Sequence, residues 1–111
     1  MGAKTILGEG VICYNMAPVT IHHDSVVSQR THICAGTHNY RLASHPLVTK
    51  PIEIGPYAWV AAEVFLAPGT TVGEGCVVGA RSVVHGKLTP WMVYTGHPAM
   101  LIKPRPLDMQ H

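Results

Sequence analysis

Of the eight histidines in this 111-residue chain, one stands where chemistry and architecture change together. In ICAGTHNYRLASHP, residues 33–46, His38 closes a regular stretch and opens an irregular one. A neutral imidazole titrates near neutrality and can take a proton from a hydroxyl. The competing reading is a polar corner residue satisfied by backbone. Tyr40, Arg41 and His45 follow at once, polar groups that could touch a bound small molecule, although an exposed loop needs no function to be polar. Cys13, Cys34 and Cys76 are odd in number and lack paired spacing. They read as reduced thiols, with Cys34 and Cys76 as small interior fillers rather than nucleophiles. His22–His23 reads as an exposed corner more readily than as a metal pair.

The elements that must position His38 come from a repeat. Stepping by six from Ile54 gives Val60, Leu66, Val72, Val78 and Val84, all aliphatic. The position after each is mostly small (Gly55, Ala61, Ala67, Gly73, Gly79, then His85), and small residues fill most of the slot four after (Ala58, Val64, Thr70, Cys76, Ser82, Leu88). The same beat runs through Ile21, Val27 and Ile33, with Ser25, Thr31 and Thr37 in the small slot, and LGEGVI starts it more weakly. Apolar residues six apart would wander around a helix, and hairpin sandwiches have a longer rhythm. The pattern therefore predicts a solenoid of very short strands, three to a triangular coil, aliphatics inward and small residues at the corners. One all-β domain of about four coils follows, with coils over 7–38 and 54–89, an inserted loop over 39–53, and a C-terminal extension over 90–111. The extension should leave the coil as strand and turn, with a loosely ordered tail.

Composition narrows the partners. A formal net charge of +2 without Lys/Arg-rich runs argues against nucleic acid. No stretch reaches membrane-spanning length and the start MGAKTILGEG has no apolar leader core, so a cytoplasmic protein without membrane insertion is expected. Exposed Trp59, Phe65, Trp91, Met92 and Tyr94 would gain from burial between copies, which favours an oligomer.

IGPYAWVAAEVFLAPGTTVGEGCVVGARSVV followed by PWMVYTGHPAMLIKPR resembles the left-handed β-helix hexapeptide-repeat acyltransferases. The likeness is greatest to their O-acetyltransferase branch, the galactoside, maltose, nodulation-type and colanic-acid-biosynthesis enzymes. CAGTHNY, AWVAA and GHPAMLIKPR are the more specific segments. The resemblance implies a homotrimer with active sites at subunit boundaries, acetyl-CoA as co-substrate and no metal. It also implies direct transfer of acetyl to a hydroxyl of a sugar or similar small acceptor. His38 would be the general base, and Asn15, Tyr40 and Trp59 would meet acceptor. Asn15 is as readily a turn residue, and for Trp59 packing at a subunit interface is an equal reading. Ala61, Gly73, Gly79 and Ala80 would let a pantetheine arm lie close to backbone. Lys103, and Arg105 beside it, would face the coenzyme's phosphates or simply solvate a tail.

Two segments depart from the family pattern. His85-Gly86-Lys87 replaces a Thr-Lys-Asp-like corner, and His97-Pro98-Ala99-Met100 replaces Asn-Pro-Ala-Arg, both where coenzyme contacts are expected. The chain is also short, so a natural minimal form or a truncation is expected. Two alternatives remain: a γ-carbonic-anhydrase-like metal enzyme using His38, His85 and His97, whose spacing is not that family's, and a non-catalytic solenoid that binds without turnover.

Overall fold

Strands of two or three residues are too short to stand alone, so each must pair with the coil before and the coil after. The computed structural model describes residues 4–38, 43–44 and 47–106, with backbone alone at 37 and 38. Its strands are β1 (Ile6–Leu7), β2 (Ile12–Tyr14), β3 (Val19–Ile21), β4 (Val26–Val27), β5 (His32–Cys34), β6 (Gly36–His38), β7 (Leu47–Thr49), β8 (Ile52–Ile54), β9 (Trp59–Val60), β10 (Phe65–Leu66), β11 (Thr71–Val72), β12 (Val77–Val78), β13 (Val83–Val84), β14 (Met92–Gly96) and β15 (Ala99–Pro104). No described residue is helical.

The chain visits three parallel sheets in strict rotation. The first face stacks β1-β4-β9-β12-β14, the second β2-β5-β10-β13, the third β3-β8-β11. Registers measure each coil. Trp59 pairs with Val77 and Phe65 with Val83, 18 residues apart, three units of six. Ile6 pairs with Val26, 20 apart, because Asn15–Pro18 widens a corner of the first coil. Val26 pairs with Trp59, 33 apart, which is one coil plus a 15-residue insertion.

Every aliphatic of the beat from Val27 to Val84 is buried, and Ser25, Thr31, Ala58, Val64, Thr70, Cys76 and Ser82, each four after an aliphatic, form a second buried column. Hydroxyls in that column stay satisfied: Ser25, Thr70 and Ser82 each donate to the carbonyl three residues back at 2.7 Å, and Thr31 donates to Ala61 O at 2.9 Å.

Three expectations need correction. The smallness of Gly55, Gly73 and Gly79 does not make the turns. A Cβ there would lie 2.8 Å from Glu74 N, 2.7 Å from Leu88 O and 2.9 Å from Thr95 Oγ1, so the next coil excludes it. The turn itself is made three residues after each aliphatic, where Asp24, Arg30, Tyr57, Glu63, Gly69, Gly75 and Arg81 all carry positive φ. Leu88 is not in a small slot. The last coil is shortened to 16 residues (Val77↔Val93), so Leu88 becomes the inward residue of the third face and Tyr94 that of the first. The tail is not loose through Pro104, because β15 pairs antiparallel with β14.

The insertion begins before residue 39. Ala35 N–H donates to Tyr14 O at 2.9 Å and Lys50 N–H to Ala35 O at 3.0 Å, closing a neck at the corner between the second and third faces. From that neck β6 and β7 project as an antiparallel pair, with Gly36 opposite Thr49, Thr37 opposite Val48 and His38 opposite Leu47.

Candidate active site

His38 therefore sits on the rising arm of a hairpin, two residues outside the prism and next to a rigid neck. Gly36, at the base of that arm, packs on the first coil: a Cβ there would lie 3.1 Å from Met16 and 3.2 Å from the Tyr14 ring. Asn15 follows Tyr14 and is exposed, so the structure brings the Asn15 corner and the His38 strand together, one coil apart. Tyr40, Arg41 and His45 lie outside the described residues.

The other candidate residues gather on the first face and its edges. Trp59 is 46% exposed in the middle of that face, and its Nε1–H donates to Ser28 Oγ at 3.0 Å, which fixes the indole plane. Ala61, Gly79 and Ala80 share the corner between the first and second faces, where Ala61 N–H donates to Val78 O and Gly79 N–H to Tyr94 O. Gly73 is not with them. It lies at the corner between the third and first faces, under Leu88 and Pro90. Lys103 lies opposite Val93 on β15 and is exposed.

Trp59 divides two clefts. One, of about 320 Å³, is walled by Trp59, Val77, Val93, Lys103, Arg105 and Pro106. The other, of about 330 Å³, is walled by Asp24, Val26, Tyr57, Ala58, Trp59 and Arg105. Arg105 is common to both and does not simply solvate a tail. Its Nη1 donates to Tyr57 O at 2.7 Å and Gly75 O at 3.0 Å, and its guanidinium stands 5.8 Å from the Trp91 ring centroid. Asp24 and Tyr57 escaped the sequence reading. Both occupy the left-handed corner position, which only the structure reveals and which Tyr takes under strain.

His85 ends the second face at its last coil and His97 belongs to the β14–β15 turn, so these two are on different sides of the prism. Among the described residues no group of three His, Cys, Asp or Glu side chains could hold a metal. No helix among them is long and apolar enough to cross a membrane. Burial pushes the Cys76 thiol above its ordinary pKa, which makes it inert at neutral pH.

The bacterial transferase hexapeptide model, six repeats, matches residues 51–86. The Escherichia coli K12 protein named "Putative colanic acid biosynthesis acetyltransferase WcaF" is 39% identical over 105 residues, 95% of this chain and 58% of its own length. The chain thus spans little more than half of that relative. The solved structure of the polySia-specific acetyltransferase NeuO superposes with a TM-score of 0.85 at 28% identity, over 99% of this chain and 53% of that one. AntD, an N-acyltransferase from Bacillus cereus solved with dTDP-4-amino-4,6-dideoxyglucose and coenzyme A, gives a TM-score of 0.85 at 20% identity, over 93% of this chain and 61% of that one.

Proposed function

We propose that this chain, which carries the bacterial transferase hexapeptide repeat and is homologous to proteins named as acetyltransferases, moves an acetyl group from acetyl-CoA to a sugar hydroxyl. Its coils are wound left-handed in this reading, and it works in the cytoplasm, where acetyl-CoA is made. The observation that carries the proposal is the cleft beside Trp59. An exposed ammonium (Lys103) and a fixed guanidinium (Arg105) flank apolar Val77 and Val93, a combination suited to a phosphate-bearing coenzyme with an apolar arm. In this reading the pantetheine arm lies along the adjacent corner of Ala61, Gly79 and Ala80, on the side away from Thr95, which fills the space beside Gly79.

His38 acts as general base. Its imidazole takes the proton of the acceptor hydroxyl as that oxygen attacks the thioester carbonyl. The tetrahedral intermediate collapses by breaking the C–S bond, and the proton passes to the departing thiolate, so the enzyme ends unchanged. Asn15, beside the hairpin base, and Tyr40, beyond it, orient the acceptor, and placing both substrates in one cleft supplies the rest.

The hairpin leaves the corner between the second and third faces, whereas Trp59 and Lys103 lie on the first face. In this reading the two halves meet between chains, in a homotrimer. Outward rows agree. The first face presents Ile6, Val26, Trp59, Val77 and Val93; the second presents Ile12, His32, Phe65 and Val83, with His32 edge-on to Phe65 at 5.3 Å. The third presents Thr20, Glu53, Thr71 and Lys87, a row for water.

The test is acetyl-CoA-dependent thiol release against a sugar panel. His38→Ala is expected to lower kcat by about 10²–10⁴ with the oligomer intact by light scattering. Equal turnover in both proteins removes His38 from the mechanism.

A further inference from the structure

Resting on the acyl-transfer reading above, we propose that the second cleft, between Asp24, Tyr57 and Trp59, is a subsite for a sugar ring of a glycan acceptor, distinct from the coenzyme lobe across the indole.

Backbone strain is the first support. The left-handed corner position suits Gly, Asn or Asp, yet the corner between the third and first faces holds Tyr57 at φ 60° and Trp91 at φ 61°. An aromatic residue held there is strained and persists where its surroundings over-determine it. The surroundings do. Tyr57 and Trp91 stack at 6.3 Å with planes 25° apart, His23 meets the Tyr57 ring edge-on at 5.4 Å, and Arg105 caps Trp91. Gly75 lies beneath, where a Cβ would run into the Trp91 ring. The stack makes Tyr57, 47% exposed, a rigid wall.

The lining chemistry is the second support. Trp59 offers an exposed indole held flat by its bond to Ser28, a platform for the C–H face of a pyranose. In the same cleft the Asp24 carboxylate is held by His23 Nδ1 at 2.9 Å and can accept from ring hydroxyls. A carboxylate, an indole and a fixed guanidinium lining one cleft select a hydroxylated ring and not an aliphatic chain. The cleft's volume of about 330 Å³ holds a single ring. Asp24 and Tyr57 place it at the corner between the third and first faces.

The experiment measures binding of a glucose tetramer and a sialic acid tetramer by calorimetry and Trp fluorescence, without acetyl-CoA, to the wild type and to Asp24→Asn and Tyr57→Asn. Asn tolerates the left-handed backbone at both positions, so both variants should keep their oligomer and melting transition. At least one tetramer should bind the wild type, and each variant should bind it about tenfold more weakly, the loss expected for a charge-assisted hydrogen bond or a ring contact. The KM for acetyl-CoA should stay within about twofold, because the coenzyme lobe is untouched. Failure of both tetramers to bind, or unchanged binding in both variants, overturns the subsite. Its binding readout is independent of turnover. A protein that binds glycan through Asp24 and Tyr57 but releases no thiol from acetyl-CoA keeps the subsite and loses the acyl-transfer reading.

Discussion

The inward column is sealed in the middle of the solenoid and open at its first coil. Val60, Leu66 and Val72 have no exposed surface, whereas Leu7, in register with Val27, is 41% exposed and Cys13, in register with Ile33, is exposed too. The residue types and the positions in the repeat are equivalent, so neither sets burial. Burial comes from a coil on each side, as nearest-neighbour stacking in repeat proteins requires. The consequence for the site is direct. The hairpin neck and Asn15 lean on the least buried coil, and the coenzyme lobe stands on the most buried ones.

The largest test of that contrast is truncation of the same side chain at both places. Leu66→Ala should cost about 3 kcal/mol, by lost transfer energy and a cavity that the coils above and below cannot fill. Leu7→Ala should cost less than about 1 kcal/mol, because much of its surface is already in water. Urea unfolding of the two variants measures both, and similar losses would mean that the first coil is covered in solution.

A smaller effect separates the corners. Gly75 and Gly86 both have positive φ, +67° and +83°, but Gly86 has open space where a Cβ would go and Gly75 has the Trp91 ring. Gly86→Ala should cost about 1 kcal/mol, the backbone term alone. Gly75→Ala should cost about 2–3 kcal/mol, since it must also displace the ring. Near-UV circular dichroism should register the broken Tyr57–Trp91 stack in the second variant only.

The interior was legible because a side-chain period of six has only one geometric solution that hides every aliphatic, and Val60 through Val84 follow it without exception. The point at which the chain leaves the prism was hidden. Thr37 falls four after Ile33, in the slot that Thr31 and Thr70 fill inside the coil, yet its backbone pairs with Val48 on the hairpin. A small polar residue satisfies both settings, so the beat carried on past its real end. Leu88 misled in the opposite way, because removing two residues from the last corner moved it from slot to rung. The second cleft was illegible because its walls come from two coils and the C-terminal extension. Asp24, Tyr57 and Arg105 meet only through stacking, and the fold alone brings Arg105 back to the carbonyls of Tyr57 and Gly75.

The smallest effect is a pH dependence, and it too separates sealed from open. Cys76 is fully buried and donates from Sγ to Thr89 O at 2.9 Å. Desolvation raises its pKa above the ordinary 9.0, outweighing the backbone hydrogen bonds and Arg105 charge that lower it. The folded pKa therefore exceeds the unfolded one. Below pH 8 both states hold the proton and stability does not depend on it. As pH rises through 9 the unfolded chain gives up its proton first, so stability falls by at most about 1.4 kcal/mol per pH unit until the folded thiol also ionises. Cys76→Ala should remove that alkaline slope from the urea midpoint between pH 8.5 and 10. Cys13 is raised by burial as well, but it lies at the open coil and should take up iodoacetamide in the native protein, while Cys76 should react only as fast as the chain unfolds. Equal labelling rates for the two thiols would mean that the middle coils open as readily as the first, and the contrast between the two regions would fail at its root.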